Sequence, residues 1–326
     1  MSPRPSLLIT RPLPPRVEEA AAETFDITRP KEDRPLSEAE AAAALGAHDA
    51  ILCTLADAFT SKAFELAGPQ PRTRLLANFG VGTNHLDIAA AAGAGVAVTN
   101  TPGAVTEATA DIALTLMLMA ARRAGEGERL VRAGAWSGWA PMQMLGRHVT
   151  GARLGVVGMG RIGRAIARRG HFGFSMEVAF YNRSALPDPG VPACQIPHLH
   201  ELLSWADFVV IAVPGGAGTR HLIGPGELAA MRPEAMIVNI ARGEVIDEAA
   251  LIAALRERRI AAAGLDVYEF EPAVPDALRA LDNVVLLPHL GTSVLAVREE
   301  MGFMALENLL AWHAGRPLPN PVAPPA

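Results

Sequence analysis

Short apolar runs alternate with helix-like segments over most of the chain. Ser37, followed by Glu40 three residues later, forms a capping-box pattern ahead of an alanine-rich helix. The runs that predict strands in the first third are residues 6–10, 25–29, 50–55, 74–79 and 96–99. Apolar strands joined by helices are typical of a parallel sheet that is covered on both faces. This third therefore predicts a small doubly wound domain.

A second alternation begins after an apolar helix predicted over residues 105–123 and an arm, 125–148, with little periodicity. Its predicted strands are residues 154–157, 178–181, 208–213, 236–240, 262–267 and 284–287. Six strands with intervening helices fit a complete dinucleotide-binding sheet. The amphipathic pattern of residues 293–313 predicts a last helix that returns to the first domain. We expect an α/β fold in which a Rossmann domain is inserted into a smaller flavodoxin-like domain, both with doubly wound parallel sheets.

Composition narrows the possible partners and the compartment. Half of the 326 residues are apolar and the net charge is −5, so a nucleic acid or an anionic membrane, which both need a broad basic face, is not expected as a partner. Residues 112–121, the most apolar stretch, fall far short of the ~20 residues that span a bilayer. Cys53 and Cys194 lie far apart in the sequence, which favours a reducing cytoplasm.

The stretch LGVVGMGRIG, residues 154–163, has the order of a strand, a tight turn and a helix. Gly158 permits the turn, Gly160 lets a pyrophosphate approach the backbone, and Gly163 lets the helix pack on the strand. A GxGxxG pattern alone is a weak signal in a chain with 30 glycines. The strand before it and the helix after it supply the context that indicates a dinucleotide site.

The end of the next predicted strand bears on which dinucleotide binds. An acid there would bind a ribose 2′-hydroxyl, but the chain has Asn182, Arg183 and Ser184, which can all donate hydrogen bonds to a 2′-phosphate. We therefore expect NADPH to be preferred over NADH. The alternative is that Arg183 is a solvated surface cation, because the only lysines are Lys31 and Lys62 and arginine is the default cation.

Three polar residues follow predicted strands on the same side as the glycine turn: Arg242, Glu271 and His289. Taken singly, the histidine could be a surface residue, the glutamate a solvated loop residue and the arginine half of an ion pair. Because all three leave strands at the cofactor side, where α/β enzymes bind their ligands in a crevice, together they indicate a catalytic site.

The motifs NIARGEVID, GLDVYEFEP, LLPHLGTS, FGVGTNHLD and GMGRIG resemble the D-isomer-specific 2-hydroxyacid dehydrogenase family over nearly the whole chain, in the family's order. The resemblance implies a substrate-binding domain of residues 1–100 and 290–326, an NAD(P)-binding Rossmann domain of residues 101–289 and a dimerisation arm near 125–148. It also implies that Arg242, Glu271 and His289 form the catalytic triad of an oxidoreductase.

The roles in that triad follow from charge and proton demand. Reduction of a 2-oxo acid moves a hydride to the carbonyl carbon and a proton to its oxygen. The planar fork of Arg242 can hold the carboxylate and polarise the carbonyl. His289 is expected to donate the proton as an imidazolium, and Glu271 to favour that charged form through the other ring nitrogen.

The resemblance extends to binding residues. The amides of Val81 and Gly82 would bind the substrate carboxylate, Leu55 would form an apolar wall, and Trp139 would reach the partner subunit's active site in a homodimer. Residues 213–216 depart from the family pattern because they are richer in glycine, which suggests a mobile loop. The implied cofactor contacts, beyond the three glycines and residues 182–184, are Arg161, Ile162, Val213, Pro214, Thr219, Ala241, Asp266, Thr109 and Gly291.

Within the family, GAWSGWAP followed by MLG looks most like glyoxylate and hydroxypyruvate reductases, a group that also includes 2-ketogluconate reductases. A phosphoglycerate dehydrogenase would be expected to use NADH and often to carry a C-terminal regulatory domain, whereas this sequence ends in PLPNPVAPPA. A further alternative is a nucleotide-sensing binding protein, such as an NAD(H)-dependent corepressor. Such proteins rely on disordered tails, and no long disordered segment is predicted here.

Overall fold

The structure, a computed structural model, describes residues 4–324 and divides into two units. The first contains the described residues up to Val105 and those from Ser293 onward, and the second is Thr106–Thr292. The sequence predicts these boundaries at 100/101 and 289/290. The second unit is thus an insertion into the chain of the first.

The first unit contains a five-stranded parallel sheet with the strand order β2-β1-β3-β4-β5, which is the flavodoxin-like order. The predicted capping box at Ser37 is present: its hydroxyl accepts from the N–H of Glu40, and the Glu40 carboxylate accepts from the N–H of Ser37. The elements are β1 Ser6–Ile9, α1 Pro15–Ala22, β2 Asp26–Thr28, α2 Glu38–Ala47, β3 Ala50–Thr54, α3 Ser61–Ala67, β4 Leu75–Phe79, α4 Ile88–Gly93 and β5 Ala97–Thr99.

The C-terminal part of the chain completes this unit. Its last helix packs on α1 and β4, and the segment after the helix pairs with the edge strand β5 through the N–H of Val322 and the carbonyl of Val98, 2.8 Å apart. Asn308, fully buried in the helix, holds Asn320 through two hydrogen bonds of 2.9 and 3.0 Å. The edge of the sheet is therefore covered by the chain's own tail.

The second unit contains a seven-stranded parallel sheet with the order β12-β11-β10-β9-β6-β7-β8. The order reverses at β6, as in dinucleotide-binding folds, and ligands bind beyond the strand ends at such a point. The elements are α5 Thr106–Ala121, α6 Ala124–Arg132, β6 Arg153–Val157, α7 Arg161–Arg168, β7 Glu177–Tyr181, β8 Cys194–Gln195, α8 Leu199–Trp205, β9 Phe208–Ile211, α9 Pro225–Ala230, β10 Met236–Asn239, α10 Glu248–Arg256, β11 Ala262–Leu265, α11 Asp276–Arg279 and β12 Val284–Leu286, with α12 Leu295–His313 returning to the first unit.

The predicted class, two doubly wound parallel-sheet domains, is confirmed, with two local differences. The sheet has seven strands where six were predicted, because β8 has only two residues and no apolar run. The start of the arm is helical, whereas the sequence predicts an irregular segment. None of the residues of α6 is fully buried, so its sequence lacks the apolar stripe that would predict a helix. Within residues 4–324, no helix is long and apolar enough to cross a membrane.

Candidate active site

The candidate catalytic side chains follow three neighbouring strands of the second unit. Arg242 comes shortly after β10, Glu271 after β11 and His289 after β12. These strands are adjacent and parallel, so their carboxyl ends meet at one edge of the sheet. The fold therefore brings together side chains that are far apart in the sequence.

His289 and Glu271 form a direct pair. Nδ1 of His289 lies 2.9 Å from Oε2 of Glu271, and the N–H of Tyr268 donates to Oε1 at 3.0 Å. Burial alone would raise the pKa of Glu271, but the hydrogen bond and charge of His289, with the charge of Arg242, outweigh it and hold that pKa below its usual value. The carboxylate is thus ionised at neutral pH, and Nε2 is the ring atom left for a substrate.

Asp266 holds the loop that carries His289. The backbone of His289 is left-handed, with φ of +55°, and its N–H donates to the carbonyl of Asp266 at 2.9 Å. The next two N–H groups, of Leu290 and Gly291, donate to the buried Asp266 carboxylate at 2.6 and 2.8 Å. Thr109 donates to the carbonyl of Gly291 at 3.2 Å. A backbone conformation that is uncommon outside glycine is thereby fixed.

Burial also shifts the pKa values of Asp266 and Arg242. It raises the pKa of Asp266, although the N–H groups of Leu290 and Gly291 act in the opposite direction. Burial likewise lowers the pKa of Arg242 from its ordinary value, against the charges of Glu271 and Glu244. An arginine keeps its charge through such a shift because its ordinary pKa lies so high.

Asn239, which the sequence analysis missed, positions Arg242. It is buried at the end of β10, donates from Nδ2 to the carbonyl of Arg242 at 2.9 Å and accepts from the N–H of Ala241 at 3.0 Å. The guanidinium of Arg242 donates to the carbonyl of Ala241 at 2.6 Å. The next residue, Gly243, has no room for a side chain, because a Cβ there would lie 1.8 Å from the carbonyl carbon of Tyr268. In the sequence, the sign of this role is that a polar residue, Asn239, ends an otherwise apolar strand.

The glycine turn follows β6. Gly158 has φ of +98°, and a Cβ there would lie 2.8 Å from the carbonyl oxygen of Ala212. A Cβ on Gly163 would lie 2.1 Å from the carbonyl oxygen of Gly158, so the helix packs closely on the turn. At Gly160, by contrast, a Cβ would meet no atom within 4 Å. Gly160 therefore leaves open the approach to the N-terminus of α7, where Arg161 and Ile162 begin the helix.

The residues after β7 surround this turn. Oδ1 of Asn182 accepts from the N–H of Met159 at 2.7 Å, so this side chain fixes the glycine turn. Gln195 on β8 donates to the carbonyl of Ser184 at 3.0 Å. Arg183 is exposed and makes no ion pair within residues 4–324. Its Nη1 would lie 4.0 Å from a Cβ added to Gly218. The guanidinium is therefore directed toward the loop that follows β9.

That loop, which contains Val213 and Pro214, is held at several points. The hydroxyl of Thr219 donates to the carbonyl of Pro214 at 2.6 Å, and the N–H of Gly216 donates to the Glu244 carboxylate at 2.8 Å. The glycine content suggested a mobile segment. The bond to Glu244 joins the loop to the segment just after Arg242.

In the first unit, Val81 and Gly82 follow β4. Leu55 lies beside them, because a Cβ on Gly80 would be 2.6 Å from its Cδ2. Val81 is exposed, and the N–H groups of Val81 and Gly82 donate to no group within the described chain. Two exposed N–H groups in sequence form a site suited to an anion.

The arm in the second unit is apolar and exposed. Trp139 is 81% exposed and Met142 is 77% exposed, and Val131, Trp136 and Leu145 are exposed as well. A cluster of large exposed apolar side chains is typical of an interaction surface.

Comparison with known proteins identifies the family. A family model described as D-isomer specific 2-hydroxyacid dehydrogenase, NAD binding domain, matches residues 114–291, more than half of the chain. The chain belongs to the D-isomer-specific 2-hydroxyacid dehydrogenase family. A glyoxylate reductase from Thermococcus gammatolerans is 40% identical over 322 residues, which cover 97% of this chain and 95% of that protein.

Solved dehydrogenase structures agree with this. An NADPH-dependent glyoxylate/hydroxypyruvate reductase from Sinorhizobium meliloti, in complex with NADP and malonate, superposes with a TM-score of 0.86 at 35% identity, covering 98% of this chain and 97% of that one. A glyoxylate reductase from Paecilomyes thermophila gives a TM-score of 0.85 at 32% identity and 98% coverage of both chains. The dehydrogenase therefore uses a nicotinamide dinucleotide, which the open approach over Gly160 fits.

Two alanine substitutions should separate folding from cofactor binding. Gly160→Ala should leave Tm unchanged, because its φ of −76° suits alanine and the space is open. It should weaken NADPH binding about tenfold or more, because the methyl group lies where the pyrophosphate would approach. Gly158→Ala should instead lower stability by about 1–3 kcal/mol. Calorimetry and NADPH fluorescence titration measure the two effects. Wild-type affinity in Gly160→Ala would contradict the assignment.

Proposed function

We propose that the protein reduces a small 2-oxo acid, glyoxylate or hydroxypyruvate, to the D-2-hydroxy acid with NAD(P)H. The observation that carries this proposal is the 2.9 Å contact between His289 Nδ1 and Glu271 Oε2 at the carboxyl edge of a dinucleotide-binding sheet that also presents Arg242. The similarity to glyoxylate reductases over nearly the full length supports the substrate class.

The three side chains would act as follows. The reduced nicotinamide, when bound, supplies a hydride to the carbonyl carbon. Arg242 holds the substrate carboxylate and polarises the carbonyl through its planar fork. His289 donates a proton from Nε2 to the carbonyl oxygen. Glu271, ionised and bound to Nδ1, orients the ring and stabilises its protonated form.

The remaining contacts are assigned with the same site. We propose that the N–H groups of Val81 and Gly82 bind the substrate carboxylate and that Leu55 forms an apolar wall. The dinucleotide contacts are assigned to Gly158, Gly160, Arg161, Ile162, Gly163, Asn182, Arg183, Ser184, Val213, Pro214, Thr219, Ala241, Asp266, Thr109 and Gly291. Asp266 and Thr109 would act partly through the His289 loop, which they hold.

We propose that NADPH is preferred over NADH. No acid stands at residues 182–184 to bind a ribose 2′-hydroxyl. Arg183 is exposed and makes no ion pair in the described part of the chain, so its charge is not neutralised by a neighbour. A guanidinium in this place suits a 2′-phosphate.

We propose that the protein forms a homodimer through the arm. Trp139 and Met142 expose most of their apolar surface, and α6 buries none of its side chains within one chain. A second copy would cover this surface, and Trp139 would then reach the partner's site. A symmetric dimer is the commonest assembly in which a second copy of a chain covers such a surface.

The reductase proposal is tested by steady-state assays on a panel of 2-oxo acids. His289→Gln should lower kcat/KM about 10²–10⁴-fold, because the proton donor is lost. Glu271→Gln should mainly change the pH profile of kcat/KM, because a neutral amide would replace the ionised carboxylate that contacts Nδ1 of His289. His200→Gln, an exposed histidine paired with Glu227, serves as the control. NADPH binding without turnover of any panel member would favour a sensing protein instead.

Cofactor preference is tested at Arg183. Arg183→Ala should raise KM for NADPH about tenfold and change KM for NADH little, because only NADPH carries the 2′-phosphate. Arg168→Ala removes an exposed arginine at the far end of α7 and should change neither value. Equal KM changes for both cofactors in Arg183→Ala would overturn the assignment.

The dimer is tested by light scattering. Wild-type protein should have twice the 34.3 kDa mass of one chain. Met142→Glu should shift the mass toward the monomer, because a charge in an apolar interface is costly. Phe172→Glu alters a side chain that is 70% exposed but lies outside the arm, and should stay dimeric. A monomeric wild-type protein with full activity would refute the proposal.

A further inference from the structure

The backbone carbonyls of residues 80–82, in the loop after β4, are all held by hydrogen bonds. The carbonyl groups of its three residues, 80–82, all accept hydrogen bonds from within the first unit, while the N–H groups of Val81 and Gly82 donate to none of the described residues. The bonds are Asn78 Nδ2 to Gly80 O at 3.0 Å, Thr101 N–H to Gly80 O at 3.1 Å, Asn100 Nδ2 to Val81 O at 2.9 Å and Asn78 Nδ2 to Gly82 O at 2.9 Å.

Peptide geometry turns these bonds into directions. The carbonyl of one residue and the N–H of the next belong to a single planar trans peptide and point in opposite directions. By holding the carbonyl of Gly80, Asn78 therefore aims the N–H of Val81 away from its own side of the loop. By holding the carbonyl of Val81, Asn100 does the same for the N–H of Gly82.

The placement of Asn78 supports a directing role. It is fully buried within the apolar strand β4, and its Oδ1 makes no hydrogen bond inside the described part of the chain. An apolar residue there would avoid this unsatisfied oxygen, which is costly to bury. The donor Nδ2 is therefore what the asparagine contributes.

Asn100 is itself fixed from the C-terminal end of the chain. Its N–H donates to the carbonyl of Asn320 at 3.2 Å, and Asn320 is held by the buried Asn308. The tail that covers the sheet edge thus also holds the residue that donates to the carbonyl of Val81.

We propose that Asn78 and Asn100 are positioning residues that aim the Val81 and Gly82 amides at the substrate carboxylate, with Asn320 fixing Asn100. This inference rests on the proposed function, in which those amides bind a 2-oxo acid. Neither asparagine touches the substrate. Each acts through the peptide whose carbonyl it holds.

The test compares Asn78→Leu and Asn100→Ala with a matched control, Asn283→Leu. Asn283 lies in the second unit, donates from Nδ2 to two carbonyls, those of Leu255 and Ala261, and also has a buried Oδ1 without a partner among the residues described. The measurements are KM and kcat for glyoxylate, Ki for oxamate, an unreactive 2-oxo acid analogue, Kd for NADPH, and Tm.

Asn78→Leu and Asn100→Ala should raise KM and the oxamate Ki about tenfold, while Kd for NADPH and the pH profile stay unchanged. Asn283→Leu should change neither KM nor Ki. Asn100→Gln keeps a donor that can reach the loop and should restore much of the affinity. If Asn78→Leu does not fold, the Asn100 pair decides the matter alone.

Different results would refute the proposed function and the positioning role of the asparagines. A wild-type protein that reduces no 2-oxo acid would refute the proposed function. A working wild-type enzyme in which Asn100→Ala and Asn100→Gln both keep the KM and oxamate Ki of Asn283→Leu would refute the positioning role, because any remaining effect would be structural only.

Discussion

A loop that leaves a buried sheet must satisfy its backbone N–H and C=O groups, and this constraint shapes the loops at the strand ends of each unit. The protein meets it with one short polar side chain at the end of each strand concerned. Asn78 holds the loop after β4, Asn182 the glycine turn, Asn239 the segment of Arg242 and Asp266 the segment of His289. Each side chain bonds to groups a few residues away or on a neighbouring loop, so the conformation of the loop is set by the rigid sheet.

These strand-end contacts also orient the pair formed by His289 and Glu271. His289 keeps a left-handed backbone because its own N–H and the two that follow all bond to Asp266. Glu271 is fixed at one oxygen by the N–H of Tyr268, so its other oxygen has a defined position for the imidazole. A side chain that is already oriented loses little freedom when a substrate binds, which is the advantage of preorganised sites.

The fold, and the position of Arg242, Glu271 and His289 beyond the ends of three strands, could be predicted because their signals are local. Apolar runs mark buried strands, and Arg242, Glu271 and His289 stand in motifs just after three of them. The two-residue strand β8 and the helix α6 could not be predicted, since neither contains an apolar pattern. Asn239 and Asn78 were missed for a different reason. Each interrupts an apolar strand visibly, but only the three-dimensional path of the next loop shows which carbonyl its amide holds.

The choice between amide and carboxylate at these strand ends follows the charge that each loop would face. Asn182 lies at the glycine turn and Asn78 at the exposed amides of Val81 and Gly82, where phosphate and carboxylate groups are proposed to bind. An aspartate in place of Asn78 could not donate to the carbonyls of residues 80 and 82, and at either place a carboxylate would repel an anion. Around His289 the loop presents N–H groups instead of carbonyls, and there the residues are Asp266, which accepts from those N–H groups, and Glu271, which contacts Nδ1 of the ring. The same structural task is thus performed by neutral amides where anions are proposed to bind, and by carboxylates where N–H groups and the His289 ring are held. The charges of the site are determined as much by the residues that hold its loops as by those that would touch the substrate.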